Sequence, residues 1–177
     1  MRTLVVYESL YGNTRVVAER IGEGLRDGAE VEVVSVHDVT RAQVAAADLL
    51  IVGGPTHVHG MASKATKESA KQAAEKPGSS LSLEPDTEGP CLREWFLSVG
   101  ALSGKRGAAF DTRVRGPAMI TGRASKGITN RLEDRGCEIV SPPQSFLVDK
   151  ASQLVDGEAD RAEVWGTGLV GSLVAGA

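Results

Sequence analysis

Cysteine is scarce in this chain. The 177 residues include only Cys91 and Cys137, which form neither a CxxC pair nor a regularly spaced set. Extracellular domains often rely on a disulfide framework, so this scarcity favours a reducing compartment. No base or cation stands beside either cysteine in the sequence, and we interpret both as structural. The sequence therefore predicts a cytoplasmic protein.

An excess of one charge and a long hydrophobic run are also missing. The formal net charge is −3, so the composition gives no reason to expect a nucleic acid or an anionic membrane as partner. The apolar run at residues 4–7 is stopped by Glu8 and is too short for a secretion signal. The uncharged tail, residues 166–177, is too short to span a bilayer. We therefore expect a soluble protein with no membrane span.

Two nucleotide-binding fingerprints are absent as well. The loop after the first predicted strand, Glu8 to Thr14, reads ESLYGNT and has neither the lysine nor the second glycine of a nucleoside-triphosphate loop. It also lacks the G-x-G-x-x-G pattern of a dinucleotide site. What it does offer is Ser9, Thr14 and backbone N–H groups at the start of a helix, which suits a single phosphate monoester.

Strand and helix patterns alternate along the chain. Apolar, β-branched runs predict strands at residues 3–7, 31–36, 48–54, 106–110 and 137–148. Helical spacing predicts helices at residues 14–25, 124–135 and 158–169. Pro142 and Pro143 must interrupt the fifth strand, because proline has no N–H for a sheet ladder. The pattern indicates an α/β fold, with a doubly wound, five-stranded parallel sheet between two helical layers.

The connection after the third strand is unusually long. It runs from Pro55 to Lys105, about twice what one crossover helix needs. Residues 64–75 and 92–97 look helical, and residues 76–90, rich in Pro, Gly and Ser, predict an exposed loop. No repeat or domain linker is found. We expect a single domain over residues 1–177, with an extended connection at about residues 61–100.

Three loops should meet at one edge of the sheet, since ligands of such folds bind at the carboxyl ends of the strands. They are residues 8–14, 53–60 and 111–122. The first two resemble loops of a known family. LVVYESLYGNT is similar to the flavodoxin signature, a strand followed by S/T-x-T-G-N-T, whose loop holds the phosphate of FMN. GGPTHVHG is similar to the flavodoxin loop that lies against the flavin ring.

The resemblance implies a flavodoxin-like fold, FMN as cofactor and a set of contact residues. Phosphate contacts would come from Ser9, Leu10, Tyr11, Gly12, Asn13 and Thr14. Contacts to the flavin ring and ribityl chain would come from Pro55, Thr56, His57, Val58, His59 and Gly60. The third loop would add Asp111, Thr112 and Arg113.

The chain also departs from the family pattern. Tyr11 stands where flavodoxins usually have threonine, and His57 where many have an aromatic residue over the ring. His57 and His59 lack a third ligand in view, so we predict no metal site. Flavodoxins are typically acidic around the third loop, whereas residues 112–132 contain five cations and no Asp or Glu: Arg113, Arg115, Arg123, Lys126 and Arg131.

Three functions fit these features. The first is an FMN-dependent one-electron carrier, which exchanges electrons with a flavin- or iron–sulfur-containing reductase or acceptor, as a monomer or weak dimer. The alternative is an FMN-dependent oxidoreductase of the quinone or protoporphyrinogen type, in which His57, His59, Arg113 and Arg115 would position the substrate. The third is a binding module that has lost FMN. We favour the carrier, so the chain need not be an enzyme.

Overall fold

The computed structural model describes residues 1–57, 60–79, 81–85 and 89–175, and for 172–175 only the backbone. The described strands are β1 (Arg2–Tyr7), β2 (Glu30–Ser35), β3 (Leu49–His57), β4 (Gly60–Met61), β5 (Arg106–Val114), β6 (Glu138–Ile139) and β7 (Gln144–Val148). The helices are α1 (Asn13–Leu25), α2 (Arg41–Ala46), α3 (Lys64–Ala74), α4 (Leu92–Ser98), α5 (Ala118–Thr121), α6 (Ala124–Glu133) and α7 (Glu158–Ala175). None of the described helices is long and apolar enough to cross a membrane.

The strands form a parallel sheet in the order β2-β1-β3-β5, with β6 and β7 in succession along the far side of β5. β6 and β7 together fill the fifth position of the predicted sheet, and Pro142 and Pro143 lie between them, as expected. Only β4 is antiparallel among the described strands; it pairs with the end of β3. The predicted doubly wound fold is confirmed, with the order that places a ligand where the connections reverse direction.

Two apolar cores lie on opposite faces of the sheet. Alternate residues of β1 point to opposite sides, so Leu4 packs in one core and Val5 in the other. The first core contains Phe96 of α4 and Ile128 of α6. The second contains Ile21 of α1 and, from α7, Ala162 and Leu169. The helices therefore form the two outer layers that the sequence predicts.

The elements differ from the sequence-based expectation in a few places. α2 is not predicted, although Thr40 and Gln43 form a capping box at its start. β3 and β5 extend three and four residues past their predicted ends, to His57 and Val114. These extensions carry both strands into the region where the ligand loops meet.

The extended connection contains the two expected helices, α3 and α4. Between them, residues 81–85 do not extend freely into solvent. The backbone N–H of Glu84 donates to the carbonyl oxygen of Leu10 at 2.9 Å, so the connection rests against the loop between β1 and α1. Of the predicted exposed loop, Ser80 and residues 86–88 lie outside the described residues.

Candidate functional site

The loop between β1 and α1 presents free backbone donors. Gly12 is the N-cap of α1 with φ of 88°, a left-handed conformation that glycine adopts without a Cβ penalty. No side chain caps this helix, and its first turn contains no acid. Within the described part of the chain, the N–H groups of Tyr11, Asn13 and Thr14 have no acceptor. Such a helix start favours a bound anion.

Side chains of this loop attach it to three other elements. The Thr14 and Thr112 hydroxyl oxygens are 2.8 Å apart, and both residues are buried. The Asn13 side-chain amide donates to the Ser152 carbonyl oxygen at 2.7 Å. The Tyr11 hydroxyl donates to a carbonyl oxygen of α3 at 3.1 Å. The loop is therefore held in place before any ligand arrives, which lowers the entropic cost of binding.

The first residue of this loop, Glu8, is fully buried. One carboxylate oxygen accepts from the Leu92 N–H at 3.2 Å, and the other lies 3.8 Å from the Lys67 ammonium. Burial raises the pKa of the Glu8 carboxyl, although the Leu92 N–H and the Lys67 charge both oppose that rise. Lys67 also donates to the Gly89 carbonyl oxygen at 3.2 Å. Glu8 thus links the loop to α3 through Lys67 and to the start of α4 through Leu92.

An acidic side chain from the extended connection lies over the same loop. The two Glu84 carboxylate oxygens each accept from the Arg15 guanidinium at 3.2 Å. A Cβ atom built on Gly12 would lie 2.8 Å from Glu84 Oε1, so the carboxylate packs directly against the glycine. Sequence reasoning missed this contact because no local pattern links residues 12 and 84.

The second loop begins where β3 ends. Thr56 and His57 pair with Met61 and Gly60 of β4. The Thr56 hydroxyl oxygen accepts from the Ala124 N–H at 2.9 Å, which ties the loop to the start of α6. Two predicted contact residues, Val58 and His59, lie outside the described residues.

His57 is half-buried, and its Nε2 atom has no hydrogen-bond partner among the described residues. Burial lowers the pKa of the imidazole, because the charged form loses its hydration. The side chain is therefore neutral at pH 7. It brings an uncharged, unpaired nitrogen to the site rather than a cation.

In the third loop, Asp111 binds the start of α6 and Arg113 binds the segment that contains α5. Asp111 is fully buried, and its carboxylate accepts from the Ser125 N–H at 2.7 Å, so it caps α6. Arg113 donates to the Gly116 carbonyl oxygen at 2.7 Å and to the Thr121 hydroxyl oxygen at 3.0 Å. Its Nε atom is buried and has no partner within the described residues.

The three loops enclose a cavity of about 200 Å³. Its lining includes most of the predicted contact residues: Leu10, Tyr11, Asn13, Thr14, Pro55, Thr56, His57, Thr112 and Arg113. The predicted residues Ser9, Gly12, Gly60 and Asp111 are described but do not line it. A wider, open depression of about 690 Å³ lies beside Phe96 and Arg135 and contains none of the predicted site residues.

Three lining residues were not predicted: Val114, Val148 and Ser152. Ser152 has φ of 58°, the only non-glycine residue with positive φ in the described part of the chain. Its carbonyl oxygen is the acceptor for Asn13. The signal was present, because β7 is parallel to the other strands and its carboxyl end must reach the same edge of the sheet.

The residues present fit a flavin mononucleotide. The free N–H groups and the Thr14 hydroxyl suit its single phosphate, because they are hydrogen-bond donors without a fixed charge. The carbon-rich surfaces of Leu10, Tyr11 and Pro55 suit an aromatic ring system. The unpartnered His57 and Arg113 nitrogens are polar groups of the kind that a ring's carbonyl and nitrogen atoms can satisfy.

Comparisons with known proteins agree with this geometry. The family model described as Flavodoxin matches residues 5–165. A flavodoxin structure from the domain Archaea superposes with a TM-score of 0.67 at 21% identity, covering 98% of this chain and 99% of that one. Oxidised Flavodoxin 1 from Bacillus cereus gives a TM-score of 0.65 at 19% identity, covering 97% and 98%. At these identities the two superpositions support the fold alone.

A curated flavodoxin from Aquifex aeolicus (strain VF5) is 41% identical over 59 residues. That match spans 32% of this chain and 32% of the relative. The family model, by contrast, covers most of the chain, and the family predicted from the two loops is confirmed. The chain belongs to the flavodoxin family of FMN-binding electron-transfer proteins.

Proposed function

We propose that this chain binds one FMN in the cavity between the three loops and carries electrons singly between redox proteins. The observation that carries the proposal is that the free N–H groups of Tyr11, Asn13 and Thr14 and the loops after β3 and β5 converge on one cavity. When bound, FMN supplies the redox chemistry. The chain supplies the site for the phosphate, holds the ring in its orientation, and places the uncharged His57 imidazole in the cavity wall.

The size of the cavity suits a cofactor that is only partly enclosed. At about 200 Å³ it is smaller than the 300–1,000 Å³ typical of small-molecule sites, so a bound flavin would extend beyond it. Electrons would then pass through the exposed edge of the cofactor to a docked protein.

Reconstitution tests the cofactor. The purified chain is incubated with FMN or FAD, passed through a desalting column and precipitated with acid, and the released flavin is identified by chromatography. We expect one FMN per chain and little FAD, since the loop offers one phosphate site and no dinucleotide fingerprint. Retention of FAD, or of no flavin, would overturn the proposal.

A potentiometric titration separates the carrier from the oxidoreductase. A carrier should show two well-resolved one-electron potentials. An enzyme of the quinone type should show a single two-electron wave, and should reduce a quinone with a nicotinamide donor alone. Turnover of that kind, abolished by Arg113→Ala, would favour the oxidoreductase.

The proposal also covers the cellular compartment, the redox partner and the oligomeric state. Cys91 and Cys137 are free and buried, in keeping with a reducing, cytoplasmic setting. The partner is a flavin- or iron–sulfur-containing reductase or acceptor, and the chain acts as a monomer or weak dimer. Light scattering across a concentration series checks the oligomeric state, and a stable dimer at micromolar concentration would contradict it.

A further inference from the structure

The segment after β5 exposes apolar side chains beside the cofactor cavity. In the four-residue helix α5, Met119 is 97% exposed and Ile120 is 68% exposed, and Val114 just before it is 43% exposed. Single exposed apolar residues are common. Here they are close in sequence, and Val114 also lines the cavity. We call residues 114–126 the α5 surface.

The Arg113 side chain is one of the groups that attach the α5 surface to the cavity wall. The Arg113 guanidinium donates both to the Gly116 carbonyl oxygen and to the Thr121 hydroxyl oxygen. Arg113 itself lines the cavity. The residues on either side of Met119 and Ile120 are thus hydrogen-bonded to a side chain of the cavity wall.

Cations flank these apolar residues in the sequence. Arg115, Arg123 and Lys126 are exposed, and none forms a salt bridge with a residue that the structure describes. The sequence contains no Asp or Glu from residue 112 to 132. The whole chain has a net charge of −3, so the local charge is opposite in sign to the overall charge.

We propose that the α5 surface docks an acidic redox protein, an inference that rests on the proposed carrier function. Complementary charge steers such a partner and sets its orientation, while an apolar centre contributes the contact that holds it. Met and Arg are enriched in interfaces of this kind. A partner docked there lies against the cavity wall at Arg113 and Val114. The chain therefore selects a negatively charged partner.

An anionic membrane has the same charge as an acidic protein, and is the other candidate occupant. Two exposed apolar side chains on a four-residue helix offer little surface for insertion. The observations thus favour a protein.

One redox protein in two charge forms provides the test. Native cytochrome c is strongly basic, and succinylation of its lysines makes it acidic without changing its size. The FMN-loaded, reduced chain is mixed with each form in a stopped-flow instrument at low ionic strength. We expect the succinylated form to be reduced about tenfold faster or more, with the advantage lost at high salt. Net charge alone predicts the reverse order.

Matched variants locate the effect. Arg115→Glu should remove most of the preference for the succinylated form. Arg26→Glu makes the same change of charge at the far end of α1 and should leave the preference intact. The double variant Met119→Gln, Ile120→Gln should react several-fold more slowly with succinylated cytochrome c. Leu97→Gln, at a residue of α4 that is 78% exposed, should react at the wild-type rate.

Calorimetric binding of succinylated cytochrome c to the flavin-free chain repeats the comparison without electron transfer. It therefore tests docking even if the chain binds no FMN, a failure that would overturn only the proposed function. Preference for native cytochrome c, or equal effects of Arg115→Glu and Arg26→Glu, would overturn the inference. So would co-sedimentation with phosphatidylserine vesicles that the Met119 and Ile120 changes abolish.

Discussion

The Thr14 hydroxyl can serve two partners at once. If Thr112 donates to Thr14, the Thr14 proton stays available for a phosphate oxygen. We therefore expect Thr14→Val to weaken FMN binding by about 1.5–3 kcal/mol, roughly ten- to a hundredfold in Kd. Riboflavin, which has no phosphate, should bind both proteins equally. Fluorescence quenching titrations give both constants.

Thr112→Val is the control for that change. This variant also breaks the hydrogen bond between the Thr14 and Thr112 hydroxyls, but it keeps the Thr14 hydroxyl in the cavity. The loss of FMN affinity should therefore be smaller than for Thr14→Val. If both variants lose FMN and riboflavin affinity equally, the loop has been damaged in general and Thr14 has no special role at the phosphate.

Glu84 places a negative charge against the phosphate loop. Glu84→Gln removes that charge and releases the Arg15 guanidinium, so FMN should bind several-fold more tightly at low salt. Glu19→Gln removes the other carboxylate that pairs with Arg15, which lies 3.0 Å from the guanidinium and one turn farther along α1. It should have little effect. Equal gains from both variants, or a gain that persists for riboflavin, would contradict a role of the Glu84 charge at the phosphate.

The lowered pKa of His57 links protonation to folding. Below the unfolded-state pKa of about 6.5, the unfolded chain binds the proton more readily than the folded one, so stability falls as the pH falls. The difference in free energy of unfolding between the wild type and His57→Gln should be constant above about pH 7 and should shift in favour of the variant below about pH 6.5. Urea unfolding of the flavin-free proteins measures it. A difference independent of pH from 5 to 8 would contradict the burial of a neutral imidazole.

Much of the site is predictable from residues alone, since two loop motifs and the parallel-sheet rule identify most of the cavity lining. Asp111 shows where such reasoning stops. The family resemblance implied a contact with FMN there, and no pattern indicated that its carboxylate also accepts from the Ser125 N–H, a partner 14 residues away. Glu84 was missed because its contact with Arg15, in the first turn of α1, spans 69 residues of sequence. Ser152 was missed although β7 ends at this edge of the sheet, because its hydrogen bond with Asn13 spans 139 residues.

At the scale of elements, α1 and α7 approach closely through glycine. A Cβ atom on Gly166 would lie 2.4 Å from the Ile21 carbonyl oxygen, and one on Gly24 would lie 2.0 Å from the Glu163 carbonyl oxygen. Both obstacles are backbone, so the helices would have to separate. We expect Gly166→Ala to lower the free energy of unfolding by about 1–3 kcal/mol, measured by urea titration.

Gly168→Ala is the matched control on the same helix. No atom that the structure describes lies within 4 Å of the added Cβ atom, so the higher helix propensity of alanine should stabilise the protein by up to about 1 kcal/mol. A stabilising effect at both positions would show that the helices are not in close contact.

The helices and strands were predictable where the apolar period was clear and where proline or glycine marked the ends. The buried strand at β3 and the amphipathic α6 have clear patterns, and the proline pair separated β6 from β7. α2 has only six residues, too few for a reliable helical period, and its capping box was its main signal. The extra residues of β3 and β5 are held by their mutual pairing up to Pro55 and Thr112, which no local pattern records.

At the scale of the whole molecule, ligand binding should stabilise the fold. A hundredfold excess of FMN over its Kd adds about 2.7 kcal/mol, and for a chain of this size that raises the Tm by about 5–11 °C. Riboflavin at the same concentration should raise it less, because it cannot use the N–H groups of the first loop. Scanning fluorimetry measures both. Equal shifts would place the main binding energy outside the phosphate site.

One domain over residues 1–177 stays a prediction, although two cores share the one sheet. Limited proteolysis with and without FMN addresses it. A single domain should resist cleavage except in the connection near residues 76–90, both with and without FMN. Early release of a large stable fragment would indicate a second unit.

The interruption between β6 and β7 also affects how the sheet meets other chains. An open edge offers a row of unpaired N–H and C=O groups on which a foreign strand can add, the first step toward aggregated sheets. Here one border consists of two short strands separated by Pro142 and Pro143, which have no N–H to offer. The other border, β2, exposes both Glu30 and Glu32, and the two charges repel a second copy of the strand. Replacing both prolines with valine should therefore shorten the lag before amyloid-dye fluorescence appears, with little change in the flavin site.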